Sequence, residues 1–199
     1  MRSVLVLLED LVRAEFGAAD LASVRAIATS RLGAVGIGSG PAGRVSAFVS
    51  AISDVRRRPL PEVYTFVGMR LVAAVLRDEP TITRDRPSTR QVLLQLDHVA
   101  PWILDMLVPG AHVPSFDVEL LDVESLRVSC TGVEPVAWLL DGVLRGLGQH
   151  FGERVEVRHV PPPSHAPERR VCDVTITPER RLKAAMLPPG GDRRRHFPV

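Results

Sequence analysis

Residues 88–120 read STRQVLLQLDHVAPWILDMLVPGAHVPSFDVEL, and the hydrophobic period changes partway through them. Ser88-Thr89-Arg90-Gln91 has the spacing of a capping box, a hydroxyl at the N-cap with a glutamine three residues on. Val92, Leu96, Val99, Ile103 and Leu107 then recur at helical spacing, which predicts one long helix. Pro101 should kink it, because proline removes a backbone donor and its ring collides with the preceding turn. Beyond Pro109-Gly110, Phe116-Asp117-Val118-Glu119-Leu120 alternates apolar and acidic residues with the period of a half-buried strand. The stretch is a boundary between helical and sheet architecture.

Working outward, the upstream half reads as helix throughout. Residues 3–16, 20–32, 44–57 and 61–77 carry apolar positions at helical spacing, with Gly17 as a stop, Asp20 as an N-cap and a Gly/Ser/Pro connection over 33–43. Downstream, 126–130 is the hairpin partner of 116–120. A helix starts near Pro135, buries Val136, Leu139, Leu140, Val143 and Leu147, and ends by Gly152. Segments 154–158 and 171–176 alternate as two further strands around a proline-rich loop. The expected class is therefore α+β: a helical lobe over about 1–87, then a long helix and a mixed lobe over about 88–178. The latter holds a mainly antiparallel sheet of about four strands and a packed helix, and 1–178 reads as one domain. Residues 179–199, with Pro188-Pro189-Gly190-Gly191 and Arg193-Arg194-Arg195, read as a basic disordered tail.

Composition narrows the function. A chain of 199 residues with 45% apolar and 24% charged residues is a globular protein with a sizeable core. Its net charge is +2, and the Arg56-Arg57-Arg58 and Arg193-Arg194-Arg195 clusters lack the interleaved aromatics of a nucleic-acid surface, so no nucleic-acid partner is expected. The apolar run at residues 4–8 is interrupted by Glu9, Asp10 and Arg13, which argues against a membrane segment. Two cysteines far apart, Cys130 and Cys172, point to a reducing, cytoplasmic setting. With His159 and His165 they lack the paired spacing of a zinc site, and no metal is expected. Gly38-Ser39-Gly40-Pro41-Ala42-Gly43 fits a dinucleotide pattern by letter but follows a helix instead of a strand. Neither Asp97-His98 nor Ser164-His165 sits in a context that makes a nucleophile, so the chain is not expected to be an enzyme.

Several strings together give the chain a family resemblance. Leu96-Asp97-His98-Val99 with 109–116, then 142–147 and 151–157, and more loosely 11–17, resemble the haem nitric-oxide/oxygen-binding (H-NOX) domain family, which includes the amino-terminal domain of soluble guanylate cyclase and stand-alone bacterial gas sensors. The resemblance implies haem held between the two lobes by an axial histidine, with a Tyr-x-Ser-x-Arg triplet on the propionates. Counted from Asp97, the ligand position falls on Ala100, and counted from Gly110 it falls on Pro101. Counted from Gly142, the triplet falls on Cys130, Gly132 and Glu134. Neither set suits haem, because iron wants an imidazole nitrogen and a carboxylate repels a propionate. Pro114 matches the proline that presses on the macrocycle, and Trp102 and Trp138 could fill a vestigial pocket. The resemblance thus leads to the expectation of a cytoplasmic, bacterial-type regulatory domain with no cofactor, acting through protein or ligand binding. Its partner would be a histidine kinase, a cyclic-nucleotide enzyme or a second copy of the chain. The alternative is a haem-based NO/O2 sensor with non-standard axial ligation by His98 or His112.

Overall fold

The helical half begins with α1 (Val4–Phe16), α2 (Ala18–Val35), α3 (Pro41–Arg56) and α4 (Leu60–Asp78), followed by the short α5 (Thr81–Arg84). Each long helix turns an apolar stripe inward. Leu7, Leu8 and Val12 of α1, Val24 of α2, Val49 and Ile52 of α3, and Val63, Val67 and Leu71 of α4 are buried in one core. Gly17 separates the first two helices at φ +91°, a conformation that costs glycine little. In this computed structural model the described residues are 3–35, 40–107, 114–131, 134–162, 164, 166 and 169–178. Gly38 and Ser39 of the glycine pattern lie outside them, as do Gly132, His112, His165 and the 179–199 tail, whereas Gly40 caps α3 and Pro41-Ala42-Gly43 forms its first turn.

The predicted long helix is two. Ser88 caps α6 (Thr89–Leu93), accepting the Gln91 N–H at 3.3 Å, and the chain then breaks at Leu94-Gln95 before α7 (Leu96–Leu107). At the break the Gln95 N–H reaches Val92 O and the His98 N–H reaches Gln95 O, tighter three-residue turns in place of helical bonds. Pro101 is accommodated inside α7, so the interruption lies upstream of the residue expected to cause it. A carboxylate from the other half of the chain completes the start of α6, Glu153 Oε2 accepting the Thr89 N–H at 2.9 Å.

The mixed half runs β1 (Phe116–Leu120), β2 (Ser125–Thr131), α8 (Glu134–Phe151), β3 (Glu153–Val160) and β4 (Arg169–Pro178). All pairings are antiparallel and the sheet order is β1-β2-β4-β3, two hairpins joined through their second strands. Leu126, Val128 and Cys130 of β2 and Cys172, Val174 and Ile176 of β4 share the buried face. Gly152, at φ +65°, turns α8 into β3 and lets α8 fold back over that face.

The two halves meet chiefly where α8 crosses α4. A Cβ built on Gly142 would stand 2.1 Å from Thr65 O and 2.9 Å from the Gly68 Cα, and one on Gly68 would stand 2.4 Å from Leu139 O. Backbone touches backbone there. Thr65 reinforces the crossing by donating its hydroxyl to Trp138 O at 3.3 Å. No single helix among the described residues is long and apolar enough to cross a membrane. Only α3 and α4 together reach that composition, as a pair bent by 115°.

Gly142→Ala is therefore expected to cost about 3 kcal/mol, as overpacked sites do, lowering the melting temperature by roughly 6–12 °C in a calorimetric scan. Gly33→Ala, at an α2 position with nothing within 4 Å of the added carbon, should raise stability by about 0.5–1 kcal/mol. If the two substitutions act alike, helix propensity and not the crossing controls stability.

Candidate functional site

One end of the sheet gathers the residues singled out for the propionate side. Register places Phe116 opposite Cys130 and Cys130 opposite Arg170, so the three form one row across β1, β2 and β4. Directly paired residues project to the same face, and Cys130 is fully buried on the core side. Arg170 therefore projects from the core face at the edge of the apolar interior. Its Nε is buried and has no hydrogen-bond partner. Arg169, one residue earlier and on the other face, is 3.7 Å from Asp117.

Pro114 enters the same end of the sheet. Ser115 follows it, accepts the Thr131 N–H through its carbonyl at 3.2 Å, and exchanges a 3.0 Å hydroxyl contact with Thr131 Oγ1. The proline turn is thereby tied to the end of β2, next to Cys130. Of the other predicted triplet positions, Gly132 lies outside the described residues, and Glu134 opens α8.

The ligand positions lie on α7. Ala100 is buried and Pro101 half-buried, and neither side chain carries a donor atom. His98 turns away, its side chain 83% exposed, with Nδ1 3.6 Å from the adjacent Asp97 carboxylate. The half-turn separation of positions 98 and 100 on a helix, about 200°, accounts for this. His150 is exposed at the end of α8 against Phe151, and the exposed His159 is held by Asp141 at 3.0 Å. Trp138 is half-buried at the α4–α8 crossing, its ring 5.9 Å from that of Tyr64. Trp102 is part of α7.

Cys130 and Cys172 lie on one face of β2 and β4, two positions apart in the register, as free thiols. Burial pushes the Cys172 thiol up to about 12, helped by Asp141, and Cys172 Sγ lies 3.7 Å from Val128 O. Burial also raises Cys130, against the opposing pull of Arg170 and Arg169. Among the described residues no group of three possible metal ligands gathers around them.

A model of the family described as haem-NO-binding matches residues 3–159. The chain belongs to that haem-NO-binding family. Its fold is that of solved H-NOX proteins. An H-NOX protein from S. oneidensis in the Fe(II)NO ligation state superposes with a TM-score of 0.71 at 13% identity, covering 87% of this chain and 97% of the other. The Fe(II) unliganded H-NOX protein from K. algicida gives 0.70 at 15% identity, covering 87% and 95%. A mutant of T. Tengcongensis H-NOX gives 0.66 at 14% identity, covering 88% and 97%. No curated protein sequence matches.

These findings correct one expectation. The reading of no cofactor followed from the losses at positions 100, 101 and 130–134, but membership of a haem-NO-binding family points to haem. Loss of the family's donors at those positions does not by itself exclude haem, because an imidazole elsewhere in the chain can serve as iron ligand. At the carboxylate end the chain does carry a fitting residue, the orphaned buried Nε of Arg170. Sequence reading overlooked it, although its signal was present: residue 170 has the same parity as Cys172, Val174 and Ile176, the core face of β4.

The buried thiols make a prediction of their own. A folded-state thiol raised from 9.0 to about 12 holds its proton more tightly than the unfolded one. Stability is then unaffected below about pH 9 and falls by up to about 1.4 kcal/mol per pH unit above it. Melting temperatures measured from pH 7 to 10.5 should show this decline, and Cys172→Ala should flatten it. An equal decline in both would assign it to other groups.

Proposed function

We propose that the chain is a haem-based gas-sensing domain of the haem-NO-binding family with a non-standard axial ligand, His112. Membership of the family over residues 3–159 carries the reading. The choice of ligand follows from the side chains of the region. Ala100 and Pro101 have no donor, and the imidazole of His98 is in solvent. His112 is the next histidine along the chain, two residues before Pro114, and a neutral imidazole is the donor that ferrous or ferric iron accepts most readily.

When bound, haem supplies an iron that coordinates a diatomic gas. The chain's own residues couple the two lobes. Pro114 is anchored to β2 through Ser115 and Thr131, so a push on the proline turn is felt by the sheet, while α8 links that sheet to α4 through the glycine crossing. A gas that favours one placement of the lobes shifts the population toward it. The output goes to a protein partner, for which a histidine kinase, a cyclic-nucleotide enzyme or a second copy are the kinds the family resemblance suggests. The domain itself carries out no catalysis. The free thiols of Cys130 and Cys172 support a reducing compartment.

Protein expressed with excess haem precursor should show a Soret band at about one haem per chain, lost in His112→Ala and kept in His98→Ala. Absence of the band in the wild-type chain, also after hemin titration, overturns the haem reading. A band lost in His98→Ala instead overturns the ligand assignment.

A further inference from the structure

A guanidinium held at the edge of an apolar core without an anion is costly, and chains retain one where a partner arrives from outside. Arg170 is in that position. Its Nε is buried and unpartnered, whereas the neighbouring Arg169 lies near Asp117 and Arg127 forms a two-pronged pair with Asp173 at 2.8 and 3.2 Å. The sheet therefore supplies carboxylates to Arg127 and Arg169, its neighbours on β2 and β4, and among the described residues none to Arg170. The row it closes, Phe116–Cys130–Arg170, is apolar apart from the guanidinium and adjoins the turn after Pro114. A flat, largely apolar molecule ending in a carboxylate suits the open end of that row, with its hydrophobic body against the partly exposed Phe116 and its charge on the arginine fork.

We propose that Arg170, from β4, is this chain's carboxylate-binding residue for the porphyrin. This rests on the haem reading above but is independent of how iron is ligated. Glu134, at the position where the family resemblance places an arginine, is then no obstacle, because the cationic contact is supplied from the adjacent strand.

The test uses the full-length chain freed of bound porphyrin and titrated with metal-free protoporphyrin IX, followed by quenching of tryptophan fluorescence. The dimethyl ester of protoporphyrin IX, which has the same ring and no carboxylates, serves as the second probe. Arg170→Gln should weaken binding of the diacid by roughly 10- to 100-fold, the range expected for loss of a charge-assisted contact, and leave the ester unchanged. Arg170→Lys should recover part of the loss. Thermal melts of the empty chain should show Arg170→Gln as stable as wild type or more so, since the substitution removes an uncompensated charge. Unchanged diacid binding in Arg170→Gln, or equal losses for diacid and ester, would overturn the assignment of Arg170 alone. Failure of the wild-type chain to bind either porphyrin would overturn it together with the haem reading.

Discussion

The contact between Gly68 of α4 and Gly142 of α8 is the constraint on which the rest of the architecture depends. Two helices from different halves of the chain approach until their backbones touch, and no side chain larger than hydrogen fits at either position. Gly146 extends the seam, since a Cβ there would stand 3.0 Å from Met69 O. This closeness brings α8 low enough to cover the sheet while remaining part of the helical core. Leu140, Leu144 and Leu147 of α8 are accordingly buried in the same cluster as Val67 and Leu71 of α4 and Val155 of β3. The apolar interior is thus continuous between an all-helical half and one that contains the sheet.

Polar interactions play a secondary part in that arrangement. The ion pairs Arg25–Glu9, Arg56–Asp20 and Arg31–Asp54 join neighbouring helices at the surface, with side chains between 28% and 51% exposed. Pairs so accessible to solvent contribute little each. Glu153 is different in kind: it accepts the backbone N–H of Thr89, whose own hydroxyl is buried and unpaired. One carboxylate at the start of β3 thereby completes the N-terminus of α6, giving the halves a second, directional tie besides the glycine crossing.

Much of this was legible in the amino-acid order. Alternation in 116–120 and 171–176 located strands, helical spacing located α1 to α4 and α8, and the local strings carried the family. What the order concealed depends on distance along the chain. Leu94-Gln95 interrupts a stretch with an unbroken apolar stripe, and the obvious breaker, Pro101, sits inside a helix. The tighter turns at Val92–Gln95 and Gln95–His98 have no residue type that announces them. Gly68 and Gly142 are ordinary helix glycines until they are known to face each other. Arg170 lay just outside the strand expected at 171–176, and its neighbour across the sheet, Cys130, is forty positions away. His98, two positions before Ala100 on α7, is exposed as a half-turn separation requires.

The sheet order carries a consequence for how this protein is assembled. Each hairpin, β1 with β2 and β3 with β4, closes through residues near in sequence, whereas β2 and β4 find each other only after α8 has been threaded between them. Contacts of large sequence separation carry a loop-closure cost that slows their formation. The row Phe116–Cys130–Arg170 belongs to neither hairpin alone and comes into being at that junction. Because side chains alternate faces, a slip of one residue between β2 and β4 would send Arg170 to the opposite surface. The interior residues Val128, Cys172 and Val174, which stay buried in only one alignment, act as proofreaders of a polar position they do not touch.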